Sequence, residues 1–92
     1  MRIRWSLKAA NDLEAIKTYL LQQRPELAQS TVQTLYGRVL SLQQSPNRGR
    51  PGTKEPNTRE LVCAPLPYIV VYEVTKDHVH ILHIHHAARN RQ

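Results

Sequence analysis

Polar and apolar positions at the start of the chain alternate first and then recur at helical spacing. The segment Arg2–Trp5 alternates, which is typical of a short strand, and Ser6 after it is a favourable helix N-cap. Between Leu7 and Arg24 one apolar stripe has the spacing of a helix face, and its members are Ala10, Leu13, Ile16 and Leu20. Pro25 then ends this helix or opens the next one.

A second helix is predicted by a more regular stripe with a 4-3-4-3 spacing. Its apolar residues are Ala28, Val32, Leu35, Val39 and Leu42, and this spacing is typical of a helix packed lengthwise on a neighbour. Because the link at Pro25 is short, the two helices should form an antiparallel hairpin. The stripe residues that we expect to be buried are Leu13, Ile16, Leu20, Val32, Leu35, Val39 and Leu42.

Strand patterns fill the last third of the chain, in segments 59–64, 68–75 and 78–84 with turn residues between them. The predicted fold class is therefore α+β: an N-terminal strand, an antiparallel helix hairpin and then a three-stranded antiparallel meander. The helices should cover one face of the sheet and leave the other at least partly open. We assign residues 1–92 to a single domain, whose small core favours a partner that covers apolar surface.

The net positive charge of the chain indicates which kinds of partner it could attract. The chain has 13 lysines and arginines against 7 aspartates and glutamates, a net charge of +6, which attracts nucleic acid or an acidic protein. The cations of interest lie in the loop 45–58, just after it and at the end of the chain: Arg48, Arg50, Lys54, Arg59, Arg89 and Arg91. They form either a cationic rim beside the open sheet face or a solvated loop and a frayed terminus.

All five histidines lie between positions 78 and 86. Regular strand alternation would place His78, His80 and His86 on one face and the other two, His83 and His85, on the opposite face. No Asp, Glu or Cys sits beside them at ligand spacing, so we predict no metal site. The two last histidines remain candidates for a general acid or base.

The single cysteine, Cys63, allows no intrachain disulfide, which suits a reducing compartment. The sequence has no apolar run of signal-peptide or membrane-spanning length. We therefore expect a cytoplasmic protein that is not associated with a membrane.

The order of elements and several local motifs resemble the RelE/ParE toxin superfamily over nearly the whole chain. The motifs are IRWS at 3–6, RGRPG at 48–52, PYIVVYEV at 67–74 and ILHIHHAAR at 81–89. The resemblance implies the toxin of a type II toxin-antitoxin system, without a cofactor. Its expected partner is a short, acidic and partly disordered cognate antitoxin, with which it would form a hetero-oligomer.

Two activities are known on this fold, and the resemblance favours one of them. RelE-like members cleave messenger RNA in the ribosome, and they carry cations at the positions of Ile69, Glu60 and Val62. Since these cations are missing here, the resemblance implies a ParE-like inhibitor of DNA gyrase. The target-binding residues would be Arg48, Arg50, Arg59, Arg89 and Arg91.

Two alternatives remain open. One is a ribosome-dependent messenger RNA endonuclease that acts on ribosome-bound message with His85, His86 and Arg89. The other is a divergent member that binds an antitoxin or operator DNA without toxicity.

Overall fold

The computed structural model describes residues 1–90 and has the predicted α+β architecture, a helix hairpin on one face of a small sheet. Its strands and helices are β1 (Arg2–Trp5), α1 (Leu7–Gln23), α2 (Pro25–Leu40), β2 (Arg50–Pro51), β3 (Arg59–Val62), β4 (Tyr68–Val74) and β5 (His78–His86). Single 3-10 turns follow α2 and β5, over Ser41–Gln43 and Ala87–Asn90. Within residues 1–90, no helix has the length and apolar character needed to cross a membrane.

The sheet contains the predicted meander at its centre and one further strand on each side. Its order is β1-β5-β4-β3-β2, with β1 parallel to β5 and the other pairs antiparallel. The sequence pattern did not reveal where β1 would pair, because its partner lies far along the chain: Arg2 is opposite His78. It also missed β2, which has only two residues.

The helix ends follow the local signals in the sequence. The Ser6 hydroxyl accepts a hydrogen bond from the amide of Ala9 at 2.9 Å and donates one to the carbonyl of Leu82 at 2.7 Å. It therefore caps α1 and ties the start of this helix to β5. Pro25 occupies the first turn of α2, where its missing N–H costs nothing.

The core lies between the hairpin and one face of the sheet. Its buried members are Ala9, Leu35, Val39, Leu42, Leu61, Cys63, Tyr68, Val70, Tyr72, Val79, Ile81 and Ile84. The prediction that both helix stripes are buried is confirmed for Leu20, Leu35, Val39 and Leu42. It is wrong for Leu13, Ile16 and Val32, which are only partly buried because the small sheet covers only part of the hairpin.

Strand alternation then defines the second face of the sheet, which neither helix covers and which we call the open face, although Ile69 and Val71 at its centre are buried. On β4 the residues between the core positions are Ile69, Val71 and Glu73, and they lie opposite His85, His83 and His80 of β5. On β3 the open-face residues are Glu60 and Val62, because Leu61 packs in the core.

Candidate functional site

The basic loop is attached to the sheet by buried contacts of Tyr72. The tyrosine hydroxyl accepts a hydrogen bond from the amide of Gly49 at 2.8 Å and donates one to the carbonyl of Pro46 at 2.8 Å. Burial raises the pKa of the Tyr72 hydroxyl, so the group keeps its proton and remains a donor. A side chain at Gly49 would meet the tyrosine oxygen at 2.7 Å, so this close approach requires glycine.

Three of the predicted target-binding arginines, two in this loop and one at the start of β3, have different roles in the structure. Arg48 is exposed and donates to the hydroxyl of Ser41 at 3.1 Å. Arg59 donates to the carbonyl of Gly49 at 2.7 Å, so it holds the loop in place. Arg50 forms an ion pair with Glu60, with 3.0 Å between the guanidinium and carboxylate. Of the three, Arg48 is therefore the cation that is held least tightly by the sheet.

Glu60 is the acidic centre of this part of the surface. Its side chain is only 9% exposed, whereas that of Arg50 is 57% exposed. Burial opposes the charged form, but hydrogen bonds from Arg50 and from the amide of Thr53 outweigh it and hold the pKa of the carboxyl below its ordinary value. The carboxylate therefore stays charged at neutral pH.

Arg48, Arg50 and Glu60 surround one shallow hollow of about 270 Å³, completed by Gly49, Leu61 and Val62. We call it the β3-edge hollow. Its two arginines exceed its one carboxylate in charge, so the structure brings two of the predicted target-binding residues together at one edge of the sheet. The backbone of Arg89 lies in the last 3-10 turn, and Arg91 lies outside the described residues.

The predicted faces of the histidines are wrong because β5 contains a bulge. The register between β4 and β5 shifts between Val71 and Tyr72, where Leu82 has no partner in the ladder. After this extra residue, every later side chain of β5 lies on the face opposite the one that unbroken alternation would give. The open face therefore carries His78, His80, His83 and His85, whereas His86 turns to the helix side and meets the ring of Tyr68 at 5.6 Å.

This arrangement separates the two histidines suggested for acid-base chemistry. His85 lies on the open face, with its ring 5.7 Å from that of His83, while His86 lies on the opposite face. A single phosphate could not contact both rings. The open-face neighbour of His85 is thus His83. Strand alternation had placed these two on one face, but only His85 and His86 were named as candidates for acid-base chemistry.

Carboxylates from distant segments meet two of these histidines. Nδ1 of His80 lies 3.2 Å from Glu73, and Nε2 of His83 lies 2.9 Å from Glu55. The second contact brings the loop between β2 and β3 onto the open face. Over residues 1–90, no three or more histidine, cysteine, aspartate or glutamate side chains are grouped as a metal site would require.

The open face is apolar at the position where RelE-type sequences carry an arginine. Ile69 lies between Val62 of β3 and His85 of β5 and is 9% exposed. The acidic side chain on the same face, Glu60, forms an ion pair with Arg50. This part of the sheet therefore presents no fixed cation to a phosphate beside Ile69.

A second surface is an apolar groove between the end of the hairpin and the sheet, with a volume of about 580 Å³. We call it the hairpin groove. Its apolar walls come from Ile16, Tyr19, Leu20, Leu27 and Leu66, and its polar rim includes Arg24 and His86. The sequence analysis missed it, although Tyr19 and Leu27 are apolar residues outside the predicted stripes, which was an available signal.

A helix hairpin on one face of a five-stranded sheet, with an open second face, defines a class of small α+β toxins, and comparisons with known proteins agree. Residues 3–91 match the family described as ParE toxin of type II toxin-antitoxin systems, parDE. The chain belongs to this family, and it is a type II toxin of the ParE/RelE superfamily. The resemblance read from the motifs is thereby confirmed.

Two individual relatives match nearly the whole chain. A protein of Sinorhizobium fredii is 41% identical over 94% of this chain and 88% of its own length. Toxin RelE2 of Caulobacter vibrioides is 42% identical, over 92% and 93% of the two chains.

Two solved structures have the same fold. A chain of the chromosomal ParDE TA system from P. aeruginosa has a TM-score of 0.83 and 32% identity, with 94% of this chain and 95% of that chain covered. A chain of the RelBE2 toxin-antitoxin complex from Mycobacterium tuberculosis has a TM-score of 0.63 and 21% identity, over 92% and 95%, and shows the fold alone.

Proposed function

We propose that this toxin inhibits DNA gyrase by binding it, and does not cleave messenger RNA. The observation that carries the proposal is the open face around Ile69. An RNA-cleaving site needs cations at the scissile phosphate together with groups that transfer protons. Here the central position is an isoleucine, and Glu60, opposite Val71 on the same face, is a charged carboxylate bound to Arg50.

The proposed contact surface is the β3-edge hollow. Arg48 is exposed there, and a charged target would be attracted to it by the positive charge of the loop. Arg59 contributes indirectly, because its guanidinium supports the carbonyl of Gly49 and hence the shape of the hollow. Arg89 and Arg91 remain proposed contacts at the end of the chain.

The test compares two activities of the purified chain: inhibition of gyrase supercoiling and cleavage of ribosome-bound message. We expect inhibition without cleavage. The Arg48→Glu variant should inhibit gyrase at least about tenfold less well, while Lys17→Glu on the exposed side of α1 makes the same charge change and should act like the wild type. Toxicity should survive the combined changes His85→Ala and His86→Ala.

The alternative is a ribosome-dependent endonuclease, and one observation favours it. His83 and His85 lie side by side on the open face, and Glu55 contacts the first of them at 2.9 Å. In this alternative, His85 with His83, rather than with His86, would transfer protons. Cleavage of ribosome-bound message by the wild-type chain, lost in a folded His83→Ala and His85→Ala variant, would refute the gyrase proposal.

The cognate antitoxin is proposed to place an amphipathic helix in the hairpin groove. The exposed fractions of Tyr19 and Leu27 are 53% and 39%, which is large for apolar side chains beside a groove. A short acidic segment would match the net charge of +6, and at the rim it would compete with Glu26 for Arg24. The partner would thus complete the partly buried stripe that includes Ile16.

Co-purification with the product of the neighbouring short reading frame tests this partner. Leu27→Asp should strongly reduce the amount of antitoxin that copurifies, because a charge would enter the apolar groove. Leu21→Asp is the matched control, since Leu21 is exposed on α1 and is not among the groove residues. Equal loss in both variants would contradict the assignment of the groove.

A further inference from the structure

The edge of the sheet opposite the β3-edge hollow carries two unused arginines. Ile3 and Trp5 of β1 pack against the core, so the alternate residues Arg2 and Arg4 lie on the open face. Both are exposed. Within residues 1–90, neither side chain has an ion pair or hydrogen bond.

Two histidines of β5 extend this cationic edge inward. Arg2 lies opposite His78 and Arg4 lies opposite His80 in the parallel register. The ring of His78 is oriented by Thr75, whose hydroxyl lies 3.0 Å from Nδ1. The ring of His80 is held through Nδ1 by Glu73. In each ring the second nitrogen, Nε2, is thus left for another ligand.

We infer that Arg2, Arg4, His78 and His80 form a strip that binds the phosphodiester backbone of a nucleic acid. The residues of each strand are two positions apart, about 6.6–6.8 Å, and the strands are about 4.8 Å apart. The two arginines therefore offer donors at a regular spacing. The histidines add Nε2 donors when their rings are protonated, because a neutral ring whose Nδ1 donates has an acceptor at Nε2. Arginine is well suited to the strip because its planar fork can bind two phosphate oxygens at once.

A nucleic acid fits this strip better than an acidic protein segment does. Protein interfaces depend on apolar or aromatic anchors in desolvated pockets, whereas the backbone of a nucleic acid can be held by charge alone. The four side chains of the strip are all polar, and the apolar neighbours of β1, Ile3 and Trp5, face the core. Glu73 is a carboxylate beside the strip, and it accepts a hydrogen bond from Nδ1 of His80.

The inference is independent of the gyrase proposal. The sheet order β1-β5-β4-β3-β2 places the strip and the β3-edge hollow at opposite edges. The strip also lies away from Ile69 along the strands, because His80 is opposite Glu73, which is four residues further along β4 than Ile69. Either proposal can therefore fail without the other.

The experiment measures binding of the full chain to a short duplex DNA, a single-stranded RNA of equal length and a polyglutamate peptide. Salt is varied between about 50 and 200 mM, because the dependence of affinity on salt reports the number of phosphate contacts. The test variant is Arg2→Gln with Arg4→Gln. The control, Lys8→Gln with Lys17→Gln, removes the same charge from α1, on the other side of the sheet.

We expect the wild type to bind DNA, RNA or both, and the comparison of the two identifies the source of the phosphates. The test variant should bind about tenfold or more weakly, and the slope of log affinity against log salt should be shallower by roughly 2. The control should keep most of the wild-type affinity. An Arg2→Lys with Arg4→Lys variant should keep the slope, because it retains both charges.

Three results would overturn the inference. The first is no binding of the wild type to either nucleic acid at the lowest salt. The second is an equal loss in the test and control variants while both keep the wild-type thermal unfolding transition. The third is tighter binding to polyglutamate than to nucleic acid, which would make the strip a surface for an acidic protein.

Discussion

The sequence and the structure give different information about Glu60. In the sequence it is a negative charge at a position where RelE-type relatives carry a cation. In the structure its carboxylate also accepts hydrogen bonds from the amide and hydroxyl of Thr53, both at 3.4 Å, in addition to the ion pair with Arg50. It therefore connects the loop after β2 to β3, and its role includes stability as well as charge.

Replacement of this carboxylate should change the stability in a pH-dependent way. The folded protein lowers the pKa of Glu60. The stabilisation by its carboxylate is therefore fully present above the pKa that Glu60 has in the unfolded chain, and it is lost as pH falls through the pKa that Glu60 has in the folded protein. At neutral pH, Glu60→Gln should cost about 1–3 kcal/mol, and the difference from the wild type should shrink in acid. Urea unfolding at a series of pH values measures this.

Glu26→Gln is the matched control for the same titration. Glu26 is paired with Arg24 at 2.7 Å, and that hydrogen bond lowers the pKa of its carboxyl, but both side chains are well exposed. Surface ion pairs of this kind contribute little. If the free energy of unfolding depended on pH in the same way in both variants, Glu60 would not have the structural role described above.

Two glycines give opposite expectations for the same substitution. Gly37 lies in α2 with no atom within 4 Å of an added Cβ, so Gly37→Ala should stabilise the fold by about 0.5–1 kcal/mol. Gly49→Ala should destabilise it by about 1–3 kcal/mol, because the new methyl group would meet Tyr72 and the carbonyl of Glu60. Chemical denaturation of both variants checks the pair, and effects of equal sign would contradict it.

At the scale of elements, α1 supports the bulge of β5. The bulge disrupts the ladder around Leu82, and polar groups of the helix take its place. The amide of Ser6 donates to the carbonyl of Ile81, its hydroxyl donates to the carbonyl of Leu82, and Asp12 accepts from the amide of Ile84 at 2.9 Å. These hydrogen bonds hold the bulge at Leu82, and the histidines after it therefore lie on the face opposite the predicted one.

Removal of the Asp12 acceptor should therefore weaken the fold. Asp12→Ala leaves the amide of Ile84 without its partner, at a cost of about 1–3 kcal/mol, and Asp12→Asn should cost less because it keeps an oxygen acceptor. Lys8→Ala removes only the exposed ion pair that Asp12 also makes. Thermal unfolding of the three variants would contradict this account if Lys8→Ala and Asp12→Ala were equally destabilising.

Features of this fold that depend on neighbouring residues could be predicted from the sequence, whereas contacts between distant segments could not. Ser6 as a cap, Pro25 in the link and the stripe through Leu35 are local signals, and all three appear in the structure. Pairing of β1 with β5 and the contact of Glu55 with His83 join distant segments, and no local pattern encodes them. The bulge had no turn residue to mark it, so the faces of the histidines were predicted wrongly.

The candidate site was predictable in type but not in arrangement. The basic loop was found from its composition, and the structure does bring Arg48 and Arg50 around one hollow. Their different partners could not be predicted, because Arg50 meets Glu60 only after β2 and β3 pair. The hairpin groove also depends on packing, since its walls come from both helices and the segment before β4.

At the scale of the whole molecule, a small core makes single residues important. Leu35 is fully buried in the core, so Leu35→Ala should cost about 2–5 kcal/mol. Domains of ordinary stability unfold with only about 5–15 kcal/mol. The variant should therefore be poorly folded alone and should be recovered better with its antitoxin, because binding at about 100 times Kd adds roughly 2.7 kcal/mol.

Thermal unfolding with and without the copurified antitoxin measures this rescue. The control is Leu21→Ala, since Leu21 is exposed on the helix surface and its truncation removes no core contact. Equal yields of Leu35→Ala with and without the antitoxin would show that the partner does not stabilise the folded toxin.

The parallel pairing of β1 with β5 has a consequence for a cell that makes such a toxin. The strand that completes the sheet, β5, begins at His78, opposite Arg2, and it lies between β1 and β4 in the strand order. A ribosome therefore releases the residues of the hairpin long before their sheet can assemble, and folding has to wait for a contact of high sequence separation. A nascent chain cut short before β5 would lack the strand that joins β1 to β4. We therefore expect an unfinished copy of the toxin not to complete its sheet. The time between translation of the helices and closure of the sheet is available for an antitoxin to meet the emerging chain.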